Sequence, residues 1–220
     1  MRISTASIFG LVAIALCSSF AQAHAAGKGA SLSLLRAVRA NCGPAITRAY
    51  DATLSPDGHS IAFVRAGRAR SDPSSLWLVN QRKRTCRRLL QSHPTEDNTT
   101  NLRALNHPVF SSDGKVLYVL SQAWVTSDAL FRVEPSTGKH RFVSAANLAM
   151  VMRNGPYKDD LIISEHAYNA GSEGGSFEQL VLIRPDGHRI MVLPAPNDGE
   201  DARPWLLKHH WAALYSAGGR

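Results

Sequence analysis

Apolar residues along this chain fall in short runs set between polar turns, and the runs recur in a fixed order. SIAFVR at Ser60–Arg65 and KVLYVL at Lys115–Leu120 are rich in β-branched and aromatic residues, as strands are. A second run follows each, LWLV at Leu76–Val79 and LFRV at Leu130–Val133; then come a polar turn and a final segment, CRRLL at Cys86–Leu90 and HRFVS at His140–Ser144. Each unit is entered through the same turn: LSPDGHSIAFV, from Leu54 to Val64, reappears as FSSDGKVLYVL from Phe110 to Leu120. A third copy keeps the order. AMVMRNGPYKDDLIIS, Ala149 to Ser164, has Asn154-Gly155 in place of Asp-Gly, and LVLIRPDGHRIMVL, Leu180 to Leu193, is a hairpin pattern about Pro185-Asp186-Gly187. Trp205–Leu207 and Trp211–Ser216 resemble the first two strands of a partial fourth copy.

A four-stranded unit of about 40–50 residues is the blade of a β-propeller. The repeats span about 50–105, 106–146 and 147–196, with the partial copy at 203–216. The pattern predicts an all-β fold, a β-propeller of four-stranded antiparallel blades. At roughly 45 residues per blade the length allows about four of them. Such a propeller is either incomplete or closed by N-terminal strands. Ala45–Tyr50 and Ser31–Val38 are the segments expected to stand beside Trp205–Ser216, and dimerisation across open strand edges is the alternative. SLSLLRAVRA, Ser31 to Ala40, also has the spacing of a short helix.

The first repeat, LSPDGHSIAFVR followed by SLWLVN and then RRLL, resembles the WD-like propeller repeat of the TolB family. The same repeat occurs in the propellers of prolyl oligopeptidase and dipeptidyl peptidase family enzymes. The resemblance covers about 50–196 and implies a fold without naming a partner. It does not extend to the α/β domain that precedes the six-bladed TolB propeller, nor to the hydrolase domain of the peptidases.

The turn chemistry accounts for the repeated motif. In Ser55-Pro56-Asp57-Gly58, proline presets φ, the aspartate can bond the local backbone, and glycine accepts a positive φ. Asp57 and Asp113 are therefore expected to be structural. Neither is followed by the ligand pattern of a calcium loop.

Composition and the first residues place the chain in a compartment. The 220 residues are 44% hydrophobic and 19% charged, as in a globular protein. Arg2, the apolar Ile8–Cys17 and Ala21-Gln22-Ala23 form a secretory signal peptide, 1–23, followed by an N-terminal segment, 24–49, and the propeller, 50–220. Leu16 before Cys17 argues against lipidation, and the apolar run is short for a membrane span, so no transmembrane segment is expected after cleavage. The expected location is periplasmic or secreted. Cys42 and Cys86 then remain as the cysteines of an exported chain, and one disulfide between them is predicted.

Catalytic patterns are not found. The sequence has no GxSxG, HExxH or P-loop; GSEGGS, Gly171 to Ser176, lacks the spacing of a nucleophile elbow, and the adjacent His209 and His210 would face opposite ways on a strand. The chain is expected to be non-catalytic, without cofactor or metal. Candidate partner-binding residues are Arg68, Arg70, Trp124 and Tyr168, of residue types enriched in binding hot spots and set in long loops at one end of the blades. Arg65, Arg68, Arg70, Arg82, Lys83, Arg84, Arg87 and Arg88 face only Asp72, which gathers most of the formal net charge of +8 in the first repeat. The partner expected is an envelope protein or an acidic surface component rather than nucleic acid. A propeller from a prolyl oligopeptidase-like serine peptidase, parted from its hydrolase, is the other functional class.

Overall fold

The computed structural model describes residues 32–44, 46–67, 73–169, 174–194, 203–208 and 211. A helix, α1, covers 32–42. Twelve strands follow in three antiparallel sheets, each a four-stranded meander in chain order. The first holds β1 (Ala49–Leu54), β2 (Ser60–Arg65), β3 (Ser75–Asn80) and β4 (Thr85–Gln91). The second holds β5 (Leu105–Phe110), β6 (Leu117–Gln122), β7 (Asp128–Val133) and β8 (His140–Ala145). The third holds β9 (Leu148–Val151), β10 (Leu161–Tyr168), β11 (Ser176–Ile183) and β12 (Arg189–Val192), and a short helix, α2 (Arg203–Lys208), comes after it. These are the blades of an incomplete all-β propeller, three among the described residues.

The strands read as nearly continuous apolar runs because both faces of every blade are covered. Successive side chains of a strand point to opposite faces. In β2, Ala62 and Val64 face the second blade, where they meet Leu117, Val119 and Phe131, while Ile61 and Phe63 face the other way. In β6, Tyr118 and Leu120 pack with Leu161, Ile163 and Val181 of the third blade.

The two outermost blade faces are closed by helices. Leu34, Ala37, Val38 and Cys42, at helical spacing along α1, cover Ile61, Phe63, Trp77 and Val79 of the first blade. Leu206, Trp205 and Trp211 cover Ile162, Leu180 and Leu182 of the third. Cys42 at the end of α1 is bonded to Cys86 on β4, with Cα atoms 5.3 Å apart. This is the predicted disulfide.

Three expectations about closure are corrected. Ser31–Val38, expected as an added strand, falls in α1 over its described part, because its apolar residues recur at helical spacing and find a flat sheet face to cover. Trp205–Leu207, expected as a strand, lies in α2, where Pro204 suits the first turn of a helix and Leu206 is fully buried. Ala49 and Tyr50 form the start of β1, the innermost strand of the first blade, rather than an outer strand. The expected signal sequence, 1–23, His209, His210 and residues 212–216 lie outside the described residues.

The Asp-Gly turns have the geometry their chemistry predicts. Asp57 Oδ1 accepts from Ser55 Oγ at 2.5 Å and from the His59 amide at 3.0 Å, and Ser55 Oγ accepts from the Ser60 amide at 2.8 Å. In the second blade Asp113 accepts from Ser111 Oγ at 2.8 Å and the Lys115 amide at 3.0 Å, and Ser111 Oγ accepts from the Val116 amide at 2.9 Å. The glycines that follow, Gly58 and Gly114, sit at φ of 72° and 73°.

Candidate functional site

All links from the second strand of a blade to its third emerge at one end of the arc, opposite the Asp-Gly turns. The β4–β5 crossing joins them there. That crossing, 92–104, is held by its own bonds: Asp97 Oδ1 accepts from the Thr99 amide at 2.8 Å and from Thr99 Oγ1 at 2.7 Å, which holds the carboxyl below its usual range. Buried Asn101 accepts from Ser121 Oγ through its carbonyl at 2.9 Å. Ser74 Oγ accepts from the Leu105 amide at 3.0 Å, fixing the first blade to the start of the second.

A polar chain crosses this end from blade to blade. On the first blade, Tyr50 donates its hydroxyl to the Leu105 carbonyl at 2.8 Å; burial, and then the Asp51 charge, push the phenol pKa up. Asp51 Oδ2 accepts from the His107 amide at 3.1 Å. Asp51 and His107 are the bulge residues of β1 and β5 and share a left-handed backbone, with φ of 47° and 46°. Asn106 donates to Asp128 Oδ2 at 3.2 Å, and the Asp128 amide donates to Asn147 Oδ1 at 3.1 Å. Asn147 Nδ2 then donates both to the Thr126 carbonyl at 2.8 Å and to Glu178 Oε1 at 3.0 Å.

Glu178 is the hub at the third blade. Its Oε1 lies 3.1 Å from His166 Nδ1, and its Oε2 accepts from Ser164 Oγ at 2.6 Å. His166 and Glu178 are direct cross-strand partners in the β10–β11 hairpin. With Nδ1 facing a carboxylate, the ring is oriented by donation through Nδ1. The serine hydroxyl faces the carboxylate and not the imidazole, so this trio orients a ring and does not activate a nucleophile. Among the described residues no cluster of His, Cys, Asp and Glu could hold a metal ion.

The four candidate binding residues are placed differently. Tyr168, at the tip of β10, is 71% exposed and packs edge-on against His166, with ring centroids 5.0 Å apart. Trp124, in the β6–β7 loop, is half-buried against the core between the first two blades and edge-on to Phe142 at 6.3 Å. With its amide oxygen toward the indole, Asn98 accepts from Trp124 Nε1 at 2.8 Å. Trp124 thus braces its loop, and its neighbour Val125 is fully exposed. Arg68 and Arg70 lie outside the described residues.

The structure brings Val125 and Tyr168 to the same end of adjacent blades, with the Thr126–Asn147–Glu178–His166 chain between them. The sequence reading missed Val125 because aliphatic residues are rare among hot spots. It missed the Glu178–His166 pair because that contact needs the hairpin register. The register was within reach: pairing Leu161 with Ile183, both in apolar runs, sets His166 opposite Glu178.

No family model matches the sequence, and neither does any curated protein. Solved structures do match. A putative TolB from Agrobacterium tumefaciens aligns with a TM-score of 0.45 and 16% identity over 66% of this chain and 49% of that one. The β-propeller domain of the trilobed protease from Pyrococcus furiosus aligns with a TM-score of 0.44 and 16% identity, over 65% of this chain and 42% of that one. Dipeptidyl peptidase 4 from Porphyromonas gingivalis aligns at 0.47 and 13% identity, over 67% and 24%. The chain spans less than half the length of each.

Proposed function

We propose that this chain is a non-catalytic, exported propeller module that holds an envelope protein or other envelope component against the end of the blades bearing Val125 and Tyr168. The observation that carries this is the pairing of two exposed hydrophobic side chains on neighbouring blades, set on a hydrogen-bonded and well-packed support. Rigid scaffolds that present hydrophobic groups from loops bind with little ordering cost. Export is supported by the Cys42–Cys86 disulfide, a bond that persists in oxidising compartments. No described helix is long and apolar enough to cross a membrane.

The test is retention of a component of solubilised envelope extract on the immobilised chain, compared with the variant Val125→Asp/Tyr168→Ala. Saturable retention that the variant loses is expected. Equal retention by both would move the site elsewhere, and no saturable retention at low salt would end the proposal.

The second reading, a propeller belonging to a prolyl oligopeptidase-like peptidase, is favoured by the SPDG-to-SLW repeat that the sequence shares with those enzymes. Further blades and a GxSxG-bearing hydrolase encoded just downstream would establish it.

A further inference from the structure

The outermost strands β4, β8 and β12, with the turns that lead into them, form the outer rim of the arc. Over residues 80–91, 134–145 and 184–192, nine Lys and Arg stand against two carboxylates, Glu134 and Asp186. The formal net charge of the chain is +8, so most of its excess lies on this rim, with five of the nine cations on the first blade and two on each of the others. Arg84 and Arg88 on the first blade, Lys139 on the second and Arg184 on the third are exposed and enter no ion pair among the described residues.

The blade junctions make the rim continuous. Arg87 of β4 donates to the carbonyl of Pro135 in the next blade's turn, and Arg141 of β8 does the same to Pro185 at 3.3 Å. These are equivalent positions of successive blades. Between them lies a cleft of about 280 Å³ lined by Arg132, Glu134, Lys139, His140 and Arg141.

We propose that this rim is a second binding surface, separate from the loop end, and that it takes a linear polymer carrying phosphate on each repeat unit. Seven of the nine basic residues are arginine, whose planar fork of donors matches phosphate oxygens. A flexible chain can follow a convex rim across three blades, whereas a flat bilayer touches only part of it. Val192 is the single exposed large hydrophobic among the described rim residues, so the rim has little to insert into lipid. No exposed Phe, Tyr or Trp stands among its described residues to stack a nucleobase, and its exposed rings are the imidazoles of His140 and His188.

The probe is labelled linear inorganic polyphosphate, titrated into the full chain at low and high salt. The expected result is binding that weakens steeply with salt, and at least about tenfold weaker binding in Arg84→Glu/Arg88→Glu/Lys139→Glu. The control, Arg36→Glu/Arg39→Glu/Lys158→Glu, changes net charge equally on other surfaces and should stay within about twofold of the parent chain. Arg84→Gln/Arg88→Gln/Lys139→Gln, a milder change, should also lose affinity and keeps the test decisive if the reversal variant does not fold. An equal loss in the control would overturn the proposal. So would polyglutamate of matched charge binding as tightly, or anionic vesicles binding where polyphosphate does not.

Discussion

Gly138, in the β7–β8 turn of the second blade, lies over the carbonyl oxygen of Leu89 in the first: a Cβ added to it would stand 2.7 Å from that oxygen. Gly187 stands in the same relation to Val143, at 2.3 Å. Leu89 and Val143 are the bulge residues of β4 and β8, so each outer strand bends to receive the next blade's turn. Arg84 occupies the corresponding step of the first blade's turn, also left-handed at φ 51°, and is exposed. A side chain fits there because, among the described residues, no blade lies behind that turn, and the Cys42–Cys86 bond brings the end of α1 near it instead.

Gly138→Ala and Gly187→Ala should therefore each destabilise the chain by about 2–4 kcal/mol, combining left-handed strain with overlap against backbone. Arg84→Gly should change stability by no more than about 1 kcal/mol, since relief of strain is offset by a freer unfolded chain. Urea midpoints at constant m-value measure all three. A large loss in Arg84→Gly would mean that the first turn is also packed against another blade.

The disulfide ties α1 to the sheet it covers. Cys42→Ser/Cys86→Ser should lower stability by about 3–5 kcal/mol for a closed loop of this length. Because Trp77 stacks on Phe63 beneath α1, the emission of Trp77 should shift to the red at lower urea than the far-ultraviolet signal of the blades. Coincident transitions would show that α1 stays docked without the bond.

Acid should act through the Asp-Gly turns. The Ser55 hydroxyl and the His59 amide hold the Asp57 carboxyl below its usual range, and the Lys115 amide and Ser111 hydroxyl do the same for Asp113. A carboxyl whose pKa is lower in the folded chain contributes stability above its unfolded value, about 3.9, and that contribution is lost as pH falls through the folded value. The urea midpoint should fall as pH drops below about 4, and less steeply in Asp57→Asn/Asp113→Asn. An unchanged slope in the double variant would place the acid sensitivity elsewhere.

At the loop end, Glu178→Ala deprives Ser164, His166 and Asn147 of a shared acceptor, at a cost of about 1–3 kcal/mol. Amide exchange should quicken in Glu165–Tyr168 more than in the distant blade-one strands. Uniform quickening would make Glu178 a global rather than a local support.

The sequence showed most clearly what short-range chemistry controls. The Ser-x-Asp-Gly turns, the apolar runs behind them and the cysteine pair each follow from residues whose preferences leave few alternatives. Trp205–Leu207 was ambiguous, because so short an apolar run suits a buried helix as well as a strand, and only the uncovered face of the third blade decides. The Glu178–His166 contact and the Gly138–Leu89 approach depend on register and on blade stacking, which no single segment encodes. Trp124 is legible as a hot-spot residue type, while its contacts with Asn98 and Phe142 depend on loop packing that the sequence does not show.

The most direct test of the proposed face is photo-crosslinking in envelope extract, with a photoreactive side chain introduced in turn at Val125, at Tyr168 and, on the opposite end of the blades, at Lys115. One discrete adduct shared by the Val125 and Tyr168 positions and missing from Lys115 is the expected result. An adduct from Lys115 alone, or none from either loop position, would contradict it.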